Sequence, residues 1–477
     1  MHFDSKIVKS YDIRGVYPDQ FDETFVYGLG RALPRVLGCA RAGLGRDARL
    51  SSPAVYAALA TGLRDAGATP VGLGLCPTEF VYYAVGSSTD LDLGVMVTAS
   101  HNPPQYNGFK VLKSDGAPVT GETGLDEVCA FIRRMPPEPE FDLEPPAESR
   151  DPAADYAEFA LEAVGMPEAT RLKVVVDAAN GVGRMLWDLI SGRLGIDPIG
   201  MNMEPDGRFP AHHPDPSKRE NLVPLIERVR AEGADIGFAY DGDADRVVVV
   251  TGDGSVVDGS ATTACIAHRL LQRDAGCRFA VGQTVSRRVL DYFRGRGVEP
   301  EMVPVGHAKI KRVLRADPGL TFAGEDAGHY YYRDFFCCDS SLLTTLHILH
   351  LAADGELGEV VGAFPEWHRP GQSIAVEFDD QGDALETCRR VALAALEEFP
   401  EPQEITCESE GRLLRHCGRP EMEEADGVRA DWQDWWFCVR PSGTEPIARL
   451  ALEARSARAA QARKERLLAL FDEYRAG

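Results

Sequence analysis

Paired cysteine spacings are missing from this sequence of 477 residues. Its 11 cysteines are odd in number and scattered, none of them in a C-x-x-C arrangement, and the one adjacent pair is Cys337-Cys338. Such usage speaks against a disulfide-built fold and fits a reducing compartment. Long apolar runs are also missing. No segment holds the roughly 20 apolar residues of a membrane span, and Met1 to Lys6 carries no apolar run of the kind a signal sequence needs. The expected location is therefore the cytoplasm, with no membrane partner. Positive charge is scarce: 51 Lys plus Arg stand against 74 Asp plus Glu, a formal net charge of −23. A field of that sign excludes broad binding to nucleic acid or to anionic membranes, and a phosphate-bearing ligand would need local Arg and Lys to overcome it.

What is present describes a globular protein of about three or four domains, on the prior of roughly 150 residues each. Three stretches share a plan of apolar run, polar loop, helix and second apolar run after Gly. The first runs from Gly43-Leu44-Gly45-Arg46-Asp47 to Ser52-Pro53, read as an N-cap with Pro at the first helical position. Its helix continues through Arg64 to a stop at Gly67, and a strand follows over Val71 to Leu75. The second pairs Val174-Val175-Val176-Asp177 with a helix over Gly183 to Leu194, and the third pairs Phe279 to Gly282 with a helix over Thr284 to Arg294. This alternation predicts α/β layers. After each unit an apolar strand delivers a polar loop: Val95 to Val97 before Ser100, Ile236 to Phe238 before Asp241, Thr321-Phe322 before Glu325. Strand C-termini are where open α/β sheets carry chemistry. The prolines from Pro136 to Pro152 mark a linker. Beyond Trp367 the pattern changes to that of an α+β domain, with a helix around Leu385 to Phe399, a strand at Trp436 to Val439 and a closing helix from about Ala457. Pro400 to Asp434 gives no readable order.

Four loops carry candidate chemistry. In Asp241-Gly242-Asp243-Ala244-Asp245-Arg246, carboxylates at i, i+2 and i+4 can converge on one hard cation such as Mg²⁺. An EF-hand is excluded, because its sixth and twelfth positions are Arg246 and Gly252 rather than Gly and Glu. A solvated acidic turn is the alternative. In Thr98-Ala99-Ser100-His101-Asn102-Pro103-Pro104 the two prolines forbid helix or ladder just after Ser100 and hold it on a rigid loop. As a phosphoserine it would be a phosphoryl donor needing in-line geometry and charge neutralisation; a turn serine is the alternative. Lys110 is a nearby cation, either proton shuttle, phosphate clamp or ordinary surface lysine. Arg440-Pro441-Ser442-Gly443-Thr444-Glu445-Pro446 joins a guanidinium, two hydroxyls and a Gly that lets backbone N–H groups approach an anion. It lacks the Gly-Lys-Ser/Thr of a P-loop, and a plain Ser/Gly turn is the competing reading. Glu325 and His329, in Gly324 to His329, can exchange hydrogen bonds with sugar hydroxyls or be ordinary loop residues.

In this order, and together with Tyr11-Asp12-Ile13-Arg14-Gly15, these loops resemble the α-D-phosphohexomutase family over nearly the whole chain. The resemblance implies three similar α/β domains plus a smaller C-terminal α+β domain around a central cleft. The expected boundaries are 1–145 with the phosphoserine loop, 146–252 with the metal loop, 253–367 with the sugar loop and 368–477 with the phosphate loop. It implies transfer of a phosphoryl group between the 1- and 6-positions of a hexose phosphate through phospho-Ser100 and a hexose 1,6-bisphosphate, by a monomer or homodimer. Asp241, Asp243 and Asp245 would hold Mg²⁺ with the Ser100 phosphate. Arg14, Lys110, Arg246, His307 and His329 would stabilise charge and move protons. Glu325 would read the sugar, and Arg440, Ser442, Gly443 and Thr444 would grip the non-transferring phosphate.

One residue departs from the family pattern. Ala327 stands where the sugar loop usually has Ser, and the loss of one neutral hydrogen bond, about 0.5–1.5 kcal/mol, implies a relaxed or altered sugar preference. Gly328 to Asp334 and Asp426 to Arg429 look most like bacterial phosphomannomutase/phosphoglucomutases, with the glucosamine-phosphate branch as competitor. A D-x-D metal-dependent glycosyl- or nucleotidyltransferase would use the Asp241 loop without needing Ser100. A non-enzymatic sugar-phosphate-binding protein would tolerate loss of Ser100 or the acids.

Overall fold

A computed structural model of the chain describes residues 3–9, 11–136, 141–168, 171–371, 374–442 and 446–475. It divides into two compact units, Met1–Cys277 with Leu314–Phe322 and Ala327–Val361, and Arg278–Val313 with Ala323–Asp326 and Gly362–Gly477. All 11 cysteines are buried, and none is joined in a disulfide. Among the described residues no helix is long and apolar enough to cross a membrane.

In the first unit, a six-stranded sheet runs in the order Ile13–Val16, Tyr106–Lys113, Leu93–Val97, Arg41–Arg46, Thr69–Leu75, Glu148–Ser149. The last four strands are parallel, and Tyr106–Lys113 is antiparallel to both its neighbours. Leu93–Val97 is buried along its whole length, as expected of an apolar strand covered on both faces. Within Tyr106–Lys113 the period of two sends Phe109 into the core and Gly108 and Lys110 to the other face. Arg14 pairs with Gly108 there, where a Cβ would meet the Ile13 carbonyl at 2.0 Å, so only glycine allows that approach. The second sheet, of five strands, places Ile236–Tyr240 parallel to Val174–Asp177 and antiparallel to Val247–Thr251. The Ser100 and Asp241 loops thus occupy equivalent places: each leaves a buried parallel strand and enters an antiparallel one.

The third stretch forms the parallel pair Arg278–Gly282 and Glu301–Val303, then Leu320–Gly324, and then the antiparallel pair Tyr330–Tyr332 and Cys338–Asp339. In the second unit, a C-terminal sheet of six strands is antiparallel throughout. Helices Gln381–Glu398 and Ala457–Arg475 pack on it around Val391, Phe437, Leu452 and Phe471. The segment without readable order contributes Glu404–Ser409, Arg412–Arg415, helix Arg419–Glu424 and Gly427–Asp431. Two helix starts differ from expectation. Ser52 is the first helical residue rather than the cap, because its hydroxyl donates to Asp47 Oδ1 at 2.6 Å. The helix expected from Thr284 begins at Arg287, since Ser286 caps it by accepting from the Arg288 N–H and the Val285 carbonyl accepts from Arg429 instead. Of the linker, Glu148–Ser149 forms a two-residue edge strand, and residues 137–140 lie outside the described residues.

One buried acid stands at a junction within the first unit. Glu79, wholly buried near the start of helix Thr78–Gly86, has its carboxyl pushed up to about 7 by burial, against the downward pull of hydrogen bonds from Tyr156, Ser341 and Ser340. A folded-state value above the unfolded one means that this group's contribution to stability is fully present below the unfolded value and is lost as pH rises through the folded one. Relative to Glu79→Gln, the wild-type chain is therefore expected to lose about 3 kcal/mol of stability between about pH 4.5 and 7 and to level off above. Urea midpoints of the two proteins across that range check it; a constant difference would contradict it.

Candidate active site

Ser100 lies at the end of Leu93–Val97, 1% exposed, with φ at 49°, a left-handed conformation that costs a non-glycine residue about 1 kcal/mol or more. Its surroundings impose it. The Ser100 N–H donates to Thr98 Oγ1 at 2.8 Å, and that hydroxyl donates to Asp47 Oδ2 at 2.8 Å. Arg49, with no exposed surface, donates from Nη2 to the carbonyls of Ser100 and Asn102 at 2.8 and 2.7 Å. From Nη1 it donates to Pro103 and Tyr106 at 2.6 and 2.9 Å, and from Nε to Asp47 Oδ2 at 3.0 Å. All five guanidinium N–H groups are thereby used, which a lysine cannot reproduce. Arg49→Ala is expected to cost about 3–5 kcal/mol by uncovering the buried carboxylate and carbonyls. Arg49→Lys should recover part of the stability but not the loop geometry, so chemical denaturation and kcat should separate.

With its backbone clamped, Ser100 Oγ donates to Asp241 Oδ2 at 2.8 Å and lies 3.2 Å from His101 Nδ1. The metal-loop backbone approaches equally closely: a Cβ on Gly242 would meet the Ser100 carbonyl at 2.7 Å. Ala244 closes the turn at φ 58°. Asp241, Asp243 and Asp245 are buried, and each offers an oxygen within 4.8 Å of the others. Asp243 Oδ1 and Asp245 Oδ1 are buried with no hydrogen-bond partner among the described residues. Burial, and after it the like charges of Asp243 and Asp245, hold the Asp241 carboxyl well above the usual carboxylate range. Unpartnered buried oxygens and mutual repulsion are what a hard divalent cation relieves, so the residues fit a metal ion.

Cations flank this acid cluster. Lys110, 8% exposed, donates to Asp243 Oδ2 at 2.7 Å and Asp245 Oδ2 at 2.5 Å. Burial alone would lower its pKa, but the two aspartates outweigh burial and raise it, so it stays charged. At Asp243 the same pairing, aided by Thr78 Oγ1 at 2.7 Å, outweighs burial and leaves the acid below the usual carboxylate range. Arg14 donates to Asp12 and to Asn102 Oδ1, each at 2.8 Å, which puts it beside the serine loop. Arg246 Nε donates to His329 Nε2 at 2.8 Å. Since guanidinium offers no acceptor, His329 is neutral, with its proton on Nδ1 donated to Asp339 Oδ2 at 2.8 Å. Asp245, His329 and Asp339 form a second group of possible ligands. The Arg246 and Asp339 bonds already use both ring nitrogens of that histidine.

The other predicted residues belong to the second unit. Glu325, 5% exposed, accepts from the Gly306 N–H at 2.9 Å, and His307 opens helix His307–Ala316 directly after that glycine. Next to Glu325, Asp326 pairs with Arg369 at 2.5 Å, and Arg369 pairs with Glu453 at 3.2 Å. Arg440 is the penultimate residue of strand Trp435–Pro441, and its Nε is buried without a partner among the described residues, a donor suited to an anion. The Ser442 N–H donates to the Ile447 carbonyl at 2.8 Å. Gly443 and Thr444 lie outside the described residues.

The sequence reading missed Asp47 and Arg49 as the clamp of the serine loop, Asp339 as the partner of His329, and Glu79. The one local signal was a charged Arg46-Asp47-Ala48-Arg49 run directly after an apolar strand.

Known proteins share this arrangement. Residues 5–136, 154–254, 258–366 and 385–470 match, in turn, alpha/beta/alpha domains I, II and III and the C-terminal domain of phosphoglucomutase/phosphomannomutase. The chain is 33% identical over 460 residues to the phosphomannomutase/phosphoglucomutase of Pseudomonas aeruginosa, covering 94% of this chain and 92% of the other. It is 32% identical over 461 residues to phosphohexose mutases of Xanthomonas campestris, covering 94% of each. A crystal structure of a phosphoglucomutase/phosphomannomutase family protein from Burkholderia thailandensis superposes with a TM-score of 0.81 at 31% identity, over 99% of this chain and 98% of that one. Three similar α/β domains and a C-terminal domain, with an acid cluster fit for a metal, place the chain in the phosphoglucomutase/phosphomannomutase family, and it is a phosphohexomutase, an isomerase of hexose phosphates.

Proposed function

We propose that the chain moves a phosphoryl group reversibly between the 1- and 6-positions of mannose or glucose phosphate through phospho-Ser100, with a hexose 1,6-bisphosphate as intermediate and Mg²⁺ as the cation. The observation that carries this reading is the buried Ser100 hydroxyl 2.8 Å from Asp241, beside two unpartnered carboxylate oxygens. Asp241, Asp243 and Asp245, together with the Ser100 phosphate, would hold the cation, which would supply charge neutralisation to the group in transfer.

In the first half-reaction a sugar hydroxyl oxygen forms the new P–O bond while the bond to Ser100 Oγ breaks. Lys110, held protonated by its two aspartates, stabilises the phosphoryl oxygens with Arg14 and Arg246. His329 and His307 carry the protons, His329 at Nε2 once Arg246 turns to the phosphate. The bisphosphate then turns over, and its other phosphate returns to Ser100. Glu325 accepts from sugar hydroxyls, and Arg440, Ser442, Gly443 and Thr444 take the phosphate that stays. The domains doing this are bounded at 145, 252 and 367.

The names of the Pseudomonas and Escherichia coli relatives, phosphomannomutase/phosphoglucomutase and phosphomannomutase, support mannose and glucose over glucosamine. With Ala327 removing one neutral hydrogen bond, the two sugars are expected to differ by no more than about tenfold in kcat/KM. A panel of mannose, glucose, glucosamine and N-acetylglucosamine 1-phosphates, each with a trace of hexose 1,6-bisphosphate, tests this. Preferential turnover of glucosamine phosphate would overturn it.

A further inference from the structure

The first turn of helix Thr78–Gly86 grips the metal loop at two successive residues. Thr78 binds Asp243 twice, through its N–H to the carbonyl at 3.0 Å and its hydroxyl to Oδ2 at 2.7 Å. Glu79, the next residue, makes its hydrogen bonds elsewhere. Its Oε2 accepts from Tyr156 OH and from Ser340 Oγ, the latter at 2.8 Å. Its Oε1 accepts from the Ser341 N–H at 2.6 Å, the Ser341 hydroxyl at 2.7 Å and the Leu342 N–H at 3.2 Å. The carboxylate therefore sits on the N-terminus of helix Ser341–Ala353, where the free N–H groups and the helix dipole favour an anion.

Ser341 Oγ also lies 2.7 Å from the carbonyl of Ala244, the residue between Asp243 and Asp245, itself at φ 58°. One hydroxyl proton thus serves two acceptors, the Glu79 carboxylate and the Ala244 carbonyl. Every group in this chain of contacts is fully buried: Glu79, Tyr156, Ser340, Ser341 and Ala244 each have 0% exposure. Side chains 262 residues apart in sequence, Glu79 and Ser341, meet directly behind the strained turn that spaces two ligand carboxylates.

We propose that Glu79 is a positioning residue for the metal site: by fixing Ser341 it fixes the Ala244 carbonyl, and so the separation of Asp243 and Asp245. This rests on the reading of Asp241, Asp243 and Asp245 as the cation's ligands. Ser341→Ala cuts the link without adding bulk. In Glu79→Gln the amide oxygen must keep the Oε1 place, because the Ser341 and Leu342 backbone N–H groups can only donate, while the NH₂ faces hydroxyls able to accept. The Gln variant should therefore be the milder.

The test is Mn²⁺ titration of the full chain by calorimetry, with kcat, KM for the sugar phosphate and Tm measured beside it. Ser341→Ala is expected to weaken Mn²⁺ binding about three- to tenfold, and kcat to fall with KM unchanged, as follows from a lost buried hydrogen bond. Glu79→Gln should weaken binding about two- to fourfold. The double variant should bind no more weakly than Ser341→Ala alone, because Glu79 acts through Ser341. A lowered Tm with wild-type Mn²⁺ affinity, or losses that multiply in the double variant, would overturn the proposal. A wild-type chain that neither binds Mn²⁺ nor turns over sugar phosphate would instead refute the metal-loop reading beneath it.

Discussion

Ser100→Ala is expected to lower turnover by about 10⁴-fold or more, the scale on which removing a covalent nucleophile acts, with little change in stability. The structure separates these two effects. The clamp on residue 100 itself contacts only its main-chain atoms: Thr98 takes its N–H and Arg49 its carbonyl. Alanine keeps both and tolerates φ 49° no worse than serine does. Only the hydroxyl facing Asp241 is lost. Unfolding free energies should therefore differ by no more than about 0.5–1.5 kcal/mol, the scale of the one buried hydrogen bond removed. Binding of glucose 1-phosphate, measured by calorimetry, should persist, since the proposed phosphate grip is Arg440 and Ser442. Turnover undiminished in Ser100→Ala would remove the covalent mechanism altogether.

The second large effect is loss of the cation. Chelation is expected to lower turnover by about 10³-fold or more, because charge stabilisation in a buried site commonly supplies several kcal/mol of the barrier reduction. Activity should return on adding Mg²⁺. Asp241→Asn should mimic chelation in part and resist rescue: it removes the carboxylate nearest Ser100 Oγ and lowers the negative charge that attracts the ion. It also relieves repulsion among the three acids, so stability should rise or hold while activity falls, a pattern common where buried like charges are kept for chemistry. Turnover indifferent to both treatments would contradict the metal reading. Folding cannot explain a loss that Mg²⁺ alone reverses.

The parts of the site legible in the sequence are those fixed by short-range rules. Pro103-Pro104 ends the ladder beyond Ser100, and the i, i+2, i+4 acids with small residues between them write a tight turn. The period of two on Asn107 to Lys110 turns Lys110 away from the core that holds Phe109. The clamp was illegible for a physical reason. Arg49 reaches carbonyls 51 to 57 residues away in sequence, and carbonyls carry no residue identity, so no pattern of side chains announces them. The same holds for Glu79 and Ser341, whose meeting depends on the packing of two helices. A resemblance to a family supplied positions for ligands and nucleophile, but it did not supply the residues that hold them.

Between Pro400 and Asp434 the obstacle was different. Strand Glu404–Ser409 carries Glu408 at 2% exposure, its charge met by Lys309, so a buried acid stands on the face opposite the one that Cys407 turns into the core. The hairpin to Arg412–Arg415 turns on Glu410 and Gly411, both at positive φ, a turn that Asn-Gly would have advertised far better than Glu-Gly. The helix expected from Thr284 shows tertiary contact overriding propensity in the same way, its start set by the Ser286 cap and by Arg429 on the Val285 carbonyl.

A net charge of −23 returns as a constraint on substrate entry. An anionic hexose phosphate meets repulsion at long range and attraction near Arg14, Lys110 and Arg246, so kcat/KM should rise with moderate salt, which screens the former more than the latter.

The most direct measurement is phosphopeptide mapping of the wild-type chain by mass spectrometry after incubation with glucose 1,6-bisphosphate. One phosphate is expected, on Ser100, and it should leave the protein and appear in the sugar when glucose 1-phosphate is added. Turnover by a chain that never carries phosphate on Ser100 would contradict the account at its centre.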